Sequence, residues 1–563
     1  MRKTRPLLGN FPEPTIWFRS LFLVIAVFVA NLLLSACCFG QGSIELEFFD
    51  KESGEPVSAR IVFTKGSKRL SRPRKILFSG EQWLAEKKVQ LSPSNGEFEF
   101  SVLRGPEFKE IKGGFTIEPR AKDSVPVEIP RAIDMHAEHW YSGDHLSSLP
   151  SDELIRWQLA DAVDLAVSTQ SMSSSKANNA KPDNSKLDKG PRKRSEPSEK
   201  SRTDLDGLGL ATACHYLEWD HGSVLMHGSK LAPSQLAPSK IDGADALKIL
   251  FEAKGQDDIL AELVRPWSRD VPLMLSSDAI RSVQLLSSYN RPNGDDRLAI
   301  AKEPAKGNLG QVQLTQGKVK ALSDIFAPID PDEQIRFKDA RGVGKLSEYI
   351  FWQMLEAGLR LTPTAGSGFN GNETQVGYNR VYVYSETTPD EAAWWKEIAQ
   401  SHTFVTNGPL LRASINGLPP GSTQTSYRSQ RISLDIAVSL AVRDPVDYLD
   451  VVFNGETIYS AKLEDHYKRG EFPAIDIDKS GWLVIRVVTD HSKGYRYATT
   501  APFYFVFEGN PRVSRKAVSF FQKWQKAAVD SMAESPNILK RYEAWIERSD
   551  QFWESRMNES NSE

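Results

Sequence analysis

Cysteine is scarce: Cys37, Cys38 and Cys214 are the only three in 563 residues. That excludes a disulfide-dense scaffold and a cysteine zinc cluster, so any metal site must be built from His, Asp and Glu. An excess of one charge is also missing, because 70 Lys+Arg against 73 Asp+Glu leave a net charge of -3. Such a balance provides no global electrostatic footprint for nucleic acid or anionic lipid. The apolar run Leu21 to Ala36, broken only by Asn31 and Ser35, falls short of the roughly 20 residues that a spanning helix needs. No Gly-x-Ser-x-Gly elbow, P-loop or His-Glu-x-x-His is present. With 40% hydrophobic and 25% charged residues the chain is not broadly disordered. Its length allows three or four domains.

Arg2, Lys3, Arg5 and Arg19 precede the Leu21–Ala36 run, the charged-then-apolar grammar of a secretory signal over residues 1–38. The run ends Leu34-Ser35-Ala36-Cys37, which resembles a bacterial lipobox. Export to the periplasm or cell surface is therefore expected, either anchored by lipid on Cys37 or cleaved near Gly40-Gln41-Gly42. The membrane would then be touched only through the signal or the lipid anchor.

Residues 43–130 alternate apolar and polar positions, as in Ile44-Glu45-Leu46-Glu47-Phe48, and predict half-buried strands. The phrase Phe49 to Ile61 resembles the first hairpin of carboxypeptidase-regulatory-like β-sandwiches. Residues 171–204 carry no aromatic and are almost all polar, a disordered insertion by composition. Nine Lys/Arg minus four Asp/Glu leave +5 over Ser171 to Thr203. Without interleaved aromatics to stack on bases, this reads as a solvated loop and not as a nucleic-acid site. Strand-like and helix-like segments alternate within residues 131–410, short strands return over 411–508, and helical stripes fill 512–557. In the last segment Val513, Ala517, Phe521, Trp524, Ala528 and Met532 form one stripe, and Ile538, Tyr542, Trp545, Ser549 and Phe552 a second. The chain thus reads as multidomain, α/β plus all-β, with two β-sandwich-like units and C-terminal helices.

Five of the nine histidines fall in two clusters, His136, His139 and His145, then His215 and His221. Imidazole with carboxylate is the usual ligand set for Zn, Mn or Fe when thiolates are absent. Spacing speaks against convergence: after Pro130 a strand is expected, and there His136 and His139 would point to opposite sides. Trp394-Trp395 reads as helix packing and not as a sugar platform.

Three ordered segments, Trp140-Tyr141-Ser142-Gly143-Asp144, Ala365 to Gly368 leading into Gly377 to Val383, and Thr403 to Leu410, resemble the CehA/McbA-type branch of the PHP metallohydrolases. The resemblance covers roughly residues 131 to 415 and extends to the secreted bacterial members with flanking β-rich segments. It implies a distorted β/α barrel holding two or three metal ions and hydrolysing phosphoesters, amides or carbamates. This sequence departs from that pattern at the ligands. The family runs Gly-Asp into Leu-His-x-His, where this chain has His145-Leu146-Ser147-Ser148; its Gly-Ser-Asp-x-His element is here Gly366-Ser367-Gly368-Phe369-Asn370. Leu260 and Tyr289 stand near further ligand positions. The resemblance leaves Trp140, Tyr141, Asp144, His145, Tyr378, Asn379 and Arg380 as candidate cleft residues. His136, His139, His145, His215 and Glu218 remain as weak candidates for one divalent ion (Zn, Mn or Fe). The expectation is an exported envelope protein with a degenerate barrel and no cofactor, binding an envelope ligand or protein partner, or scaffolding. The alternative is a metal-dependent hydrolase with a reduced or relocated site.

Overall fold

The computed structural model describes residues 42–66, 76–92, 96–169, 210–227, 241–256, 259–290, 328–339, 341–369, 375–427, 430–492 and 494–563. The expected signal over residues 1–38, with Cys37, and the polar stretch at 171–204 lie outside the described residues. The fold mixes helices with many strands in several sheets, a multidomain α/β and β-rich chain. Among the described residues no helix is long and apolar enough to cross a membrane.

Alternation dictates the first unit. Ser43–Asp50 buries every second side chain and pairs with Lys88–Leu91 and Lys122–Ile129. A second sheet orders Phe78–Ser79, Gln82–Ala85, Ala59–Lys65, Gly96–Leu103 and Ile111–Ile117. Ile44, Leu46 and Phe48 from the first sheet close over Ile61, Phe63, Phe98, Phe100 and Val102 from the second, so the two share one core.

The chain then folds into a much larger body. An 11-stranded sheet runs Leu210–Ala213, Leu165–Ser168, Trp140–Ser147, Arg380–Tyr384, Thr403–Thr406, Tyr497–Thr500, Gly481–Thr489, Val446–Phe453, Glu456–Ala461, with Phe503–Phe507 and Thr423–Ser426 attached at one side. This sheet crosses residue 411, where the pattern of short strands suggests a boundary. A five-stranded sheet, His215–Trp219, Gly222–His227, Leu260–Leu263, Ile280–Leu286 and Thr362–Ala365, adjoins it, with Thr362–Ala365 lying against Trp140–Ser147, Arg380–Tyr384 and Thr403–Thr406. Helices Gly243–Ala253, Gly342–Glu356 and Glu391–Ala399 cover these sheets; Asp242 and Asp390 cap two of them by accepting from Ala244 and Ala393 amides. Helices Arg515–Met532 and Pro536–Asn558 form a hairpin against Val271–Ser276.

One local expectation is corrected. His136 and His139 do not lie on a strand: His136–Glu138 is a 3₁₀ turn, and His139 ends it in the left-handed region at φ 62°. The strand begins one residue later, at Trp140, once the turn has closed through the His139 amide to the His136 carbonyl.

Candidate functional site

The strand Trp140–Ser147 buries every residue, so its polar side chains must find partners inside the protein. His145 is wholly buried. Its Nδ1 lies 2.8 Å from a Glu262 carboxylate oxygen, and the Trp394 indole N–H points at its Nε2 from 3.2 Å. A donor facing Nε2 assigns the ring proton to Nδ1, where it is donated to Glu262. Glu262 is buried as deeply; its other oxygen accepts from the Gln284 amide at 2.6 Å. Burial acts to raise its carboxyl pKa, but His145, His227 and Gln284 overcome this and hold it below the ordinary value. His227 completes the cluster, its ring stacked 3.8 Å from Trp395 and 6.0 Å from His145. Desolvation, with His145 and His215 adding to it, pushes His227 down to about 3, so the ring is neutral. Its Nε2 is buried without a hydrogen-bond partner among the described residues. Cys214 packs nearby, and burial pushes its thiol pKa up, away from reactivity.

A metal centre of the kind the PHP resemblance implies does not fit these donors. The Nε2 lone pair of His145 is taken by Trp394, and both Glu262 oxygens already accept hydrogen bonds. Leu146, at a ligand position of the family motif, packs with Leu225 and Val264. Ser148, at the other, donates to the Phe369 carbonyl. Among the described residues no three His, Cys, Asp or Glu side chains gather around a common point.

The other candidates scatter. His136 pairs with Asp164 at 3.0 Å and stacks on Tyr141, and although burial lowers its pKa, Asp164 and Glu107 raise it above the ordinary value. His139 makes a T-shaped ring contact with Tyr384 at 6.3 Å. His215 is half-buried at the start of its strand, and Glu218 lies 4.0 Å from Arg265. These side chains do not share a centre with His145.

Asp144 and Asn379, both buried, tie the backbone of this region together. The Asp144 carboxylate accepts the amides of Leu146, Ser367 and Gly377, tying the Gly366-Ser367-Gly368 turn and the Gly377 turn to the strand. Burial raises its carboxyl pKa against those bonds. Asn379 donates to the carbonyls of Ser287, Asn290 and Gly366. Trp140 and Tyr141 are buried, and Trp140 also lines a depression of about 250 Å³ with Tyr384 and Arg412.

Tyr378 and Arg380 do line a cleft, of about 560 Å³, where the N-terminal sheets meet the large body. Its walls also hold Arg60, Asp161, Arg443, His491 and Arg496, residues that composition and motif gave no reason to select. Arg443 and Arg496 lie beyond the family-like segment, so the signal that drew attention to Tyr378 and Arg380 stopped short of them. Arg380 donates to the carbonyls of Gly377, Ala162 and Asp161, and Arg60 pairs with Asp161 at 2.6 Å.

Comparison with known proteins found no match among family models, curated proteins or solved structures.

Proposed function

We propose that this chain is an exported envelope protein built on a PHP-like barrel whose catalytic centre has been lost, and that it binds a ligand instead of hydrolysing one. The observation that supports this reading is the sealed His145: the one histidine beside the family-like Gly-Asp step has both nitrogens engaged, by Glu262 and by Trp394. A metal ion would have to displace an indole N–H from a fully buried ring, and it would gain no second histidine from the positions of Leu146 and Ser148. An open polar cleft lies elsewhere among the described residues, lined by Tyr378 and Arg380.

Metal analysis tests the proposal. The full chain, purified without chelator or affinity histidines and dialysed against Zn, Mn and Fe, is expected to retain far less than one ion per molecule. Near-stoichiometric metal that disappears in His145→Ala would overturn the proposal in favour of a metal-dependent hydrolase.

A further inference from the structure

We infer that the 560 Å³ cleft at the junction of the N-terminal sheets and the large body binds a small polar molecule bearing an oxyanion, of sugar-phosphate or sugar-acid size, through Arg443 and Arg496 beside the Tyr378 ring. This rests on the reading of the chain as a binding protein and names the class of its ligand.

The charge arrangement carries the inference. Four arginines line the cleft against two acids, Asp161 and Glu110. Asp161 is taken by Arg60, and Glu110 stands at the exposed rim within 3.9 Å of Lys112. Arg380 is spent on backbone carbonyls and the Ser142 hydroxyl. Arg496 places its Nε on the Asn407 carbonyl and one terminal nitrogen on Asp444. Arg443 differs from the rest. Its hydrogen bonds to described residues all run through one terminal nitrogen, to the carbonyls of Gly105 and Phe108, and the neighbouring Asp444 is engaged by Arg496. Burial, then the Arg380 and Arg496 charges, lower the Arg443 pKa, the mark of a cation crowded by cations. The Nε–H and the other terminal nitrogen remain as charged donors, each able to meet an oxygen of a carboxylate or phosphate. Leu103, Pro106 and Val376 supply apolar wall, and the volume falls in the range of small-molecule sites, roughly 300–1,000 Å³.

Calorimetric titration of the full chain tests this, with inorganic phosphate, glucose 6-phosphate, glucuronate and neutral glucose as probes, with and without EDTA. Saturable binding of one oxyanion per chain is expected, indifferent to EDTA and absent for glucose; the tighter of the phosphate and carboxylate probes identifies the anion. Arg443→Gln should weaken binding by about 10- to 100-fold. Arg443→Lys, which keeps the charge but not the separately placed guanidinium donors, should fall between the parent and Arg443→Gln. Arg412→Gln, in the separate depression beside Trp140, should bind as the parent does. Failure of every oxyanion to bind the folded, metal-free chain, or equal weakening by Arg412→Gln and Arg443→Gln, would overturn the cleft and leave the proposed loss of catalysis standing. Oxyanion binding abolished by EDTA would overturn both.

Discussion

Gly143 shows how one missing side chain organises the buried centre. A Cβ at this position would lie 2.3 Å from Cζ2 of Trp394, the ring whose indole N–H reaches His145. Glycine here leaves the room that the tryptophan ring fills, and the tryptophan in turn occupies the histidine. Gly143→Ala is therefore expected to destabilise the protein by about 1–3 kcal/mol through overpacking. Trp394→Leu should cost about 2–5 kcal/mol, because it leaves both a cavity and an unpaired His145 nitrogen. In the double variant the clash is gone, so the two losses should sum to clearly more than the measured one. Urea unfolding of the four proteins decides it; strict additivity would mean that Gly143 and Trp394 do not meet. Sequence placed Gly143 inside the Trp-Tyr-Ser-Gly-Asp segment and expected Trp394 to pack. Their encounter was not legible, because it depends on the helix Glu391–Ala399 folding back over a strand far earlier in the chain. The same distance hid Glu262, His227 and Arg443, none of which belongs to a local motif.

Elements with one wet face show their period in the sequence, whereas Trp140–Ser147, buried throughout, shows none. Ser43–Asp50 alternates in sequence and in burial, and the turn at Asn454-Gly455 has both residues at positive φ, as its hairpin requires. Trp140–Ser147 buries all eight positions with polar and apolar residues mixed, so no period of two exists to be read. In the C-terminal hairpin the first helix buries Ala517, Phe521, Trp524, Ala528 and Met532 as its periodicity predicts. The second helix is out of phase with the expectation by one residue at its end. Ile538 is 46% exposed and Phe552 only half-buried, while Trp553 is buried, stacks on Phe521 at 4.9 Å and donates to the Pro272 carbonyl. Tyr542, Ser549 and Trp553 follow spacings of seven and four, the correct stripe, and the adjacent aromatics Phe552 and Trp553 made the phase ambiguous. Trp553→Ala should cost about 3–5 kcal/mol and Phe552→Ala well under half of that. Equal losses in thermal unfolding would show that the helix is rotated from the orientation described.

The whole molecule responds to pH through groups it has withdrawn from water, and His227 is the clearest of them. Held neutral between Trp395 and the His145–Glu262 pair, it titrates at about 3 in the fold against 6.5 as its ordinary value. Between those limits the unfolded chain binds a proton that the native chain does not, so native stability falls as pH drops from 6.5 toward 3 and is fully present above 6.5. The slope for one such proton approaches about 1.4 kcal/mol per pH unit. His136 acts with the opposite sign: Asp164 and Glu107 outweigh burial and raise its pKa, so its contribution is complete below 6.5 and is lost as pH rises through the folded value. Glu262, whose carboxyl pKa is lowered in the fold, also contributes stability that is lost in acid, while Asp144, whose pKa is raised, acts the other way, so the profile of the parent alone does not isolate His227. His227→Phe does, because phenylalanine keeps a ring against Trp395 and cannot take up a proton. Unfolding free energies at pH 4, 5, 6 and 7 should show the variant gaining on the parent steadily as the solution is acidified, with no such gain for His136→Gln. Parallel curves for the parent and His227→Phe would mean that the His227 proton equilibrium is the same folded and unfolded, and that the buried centre is open to water.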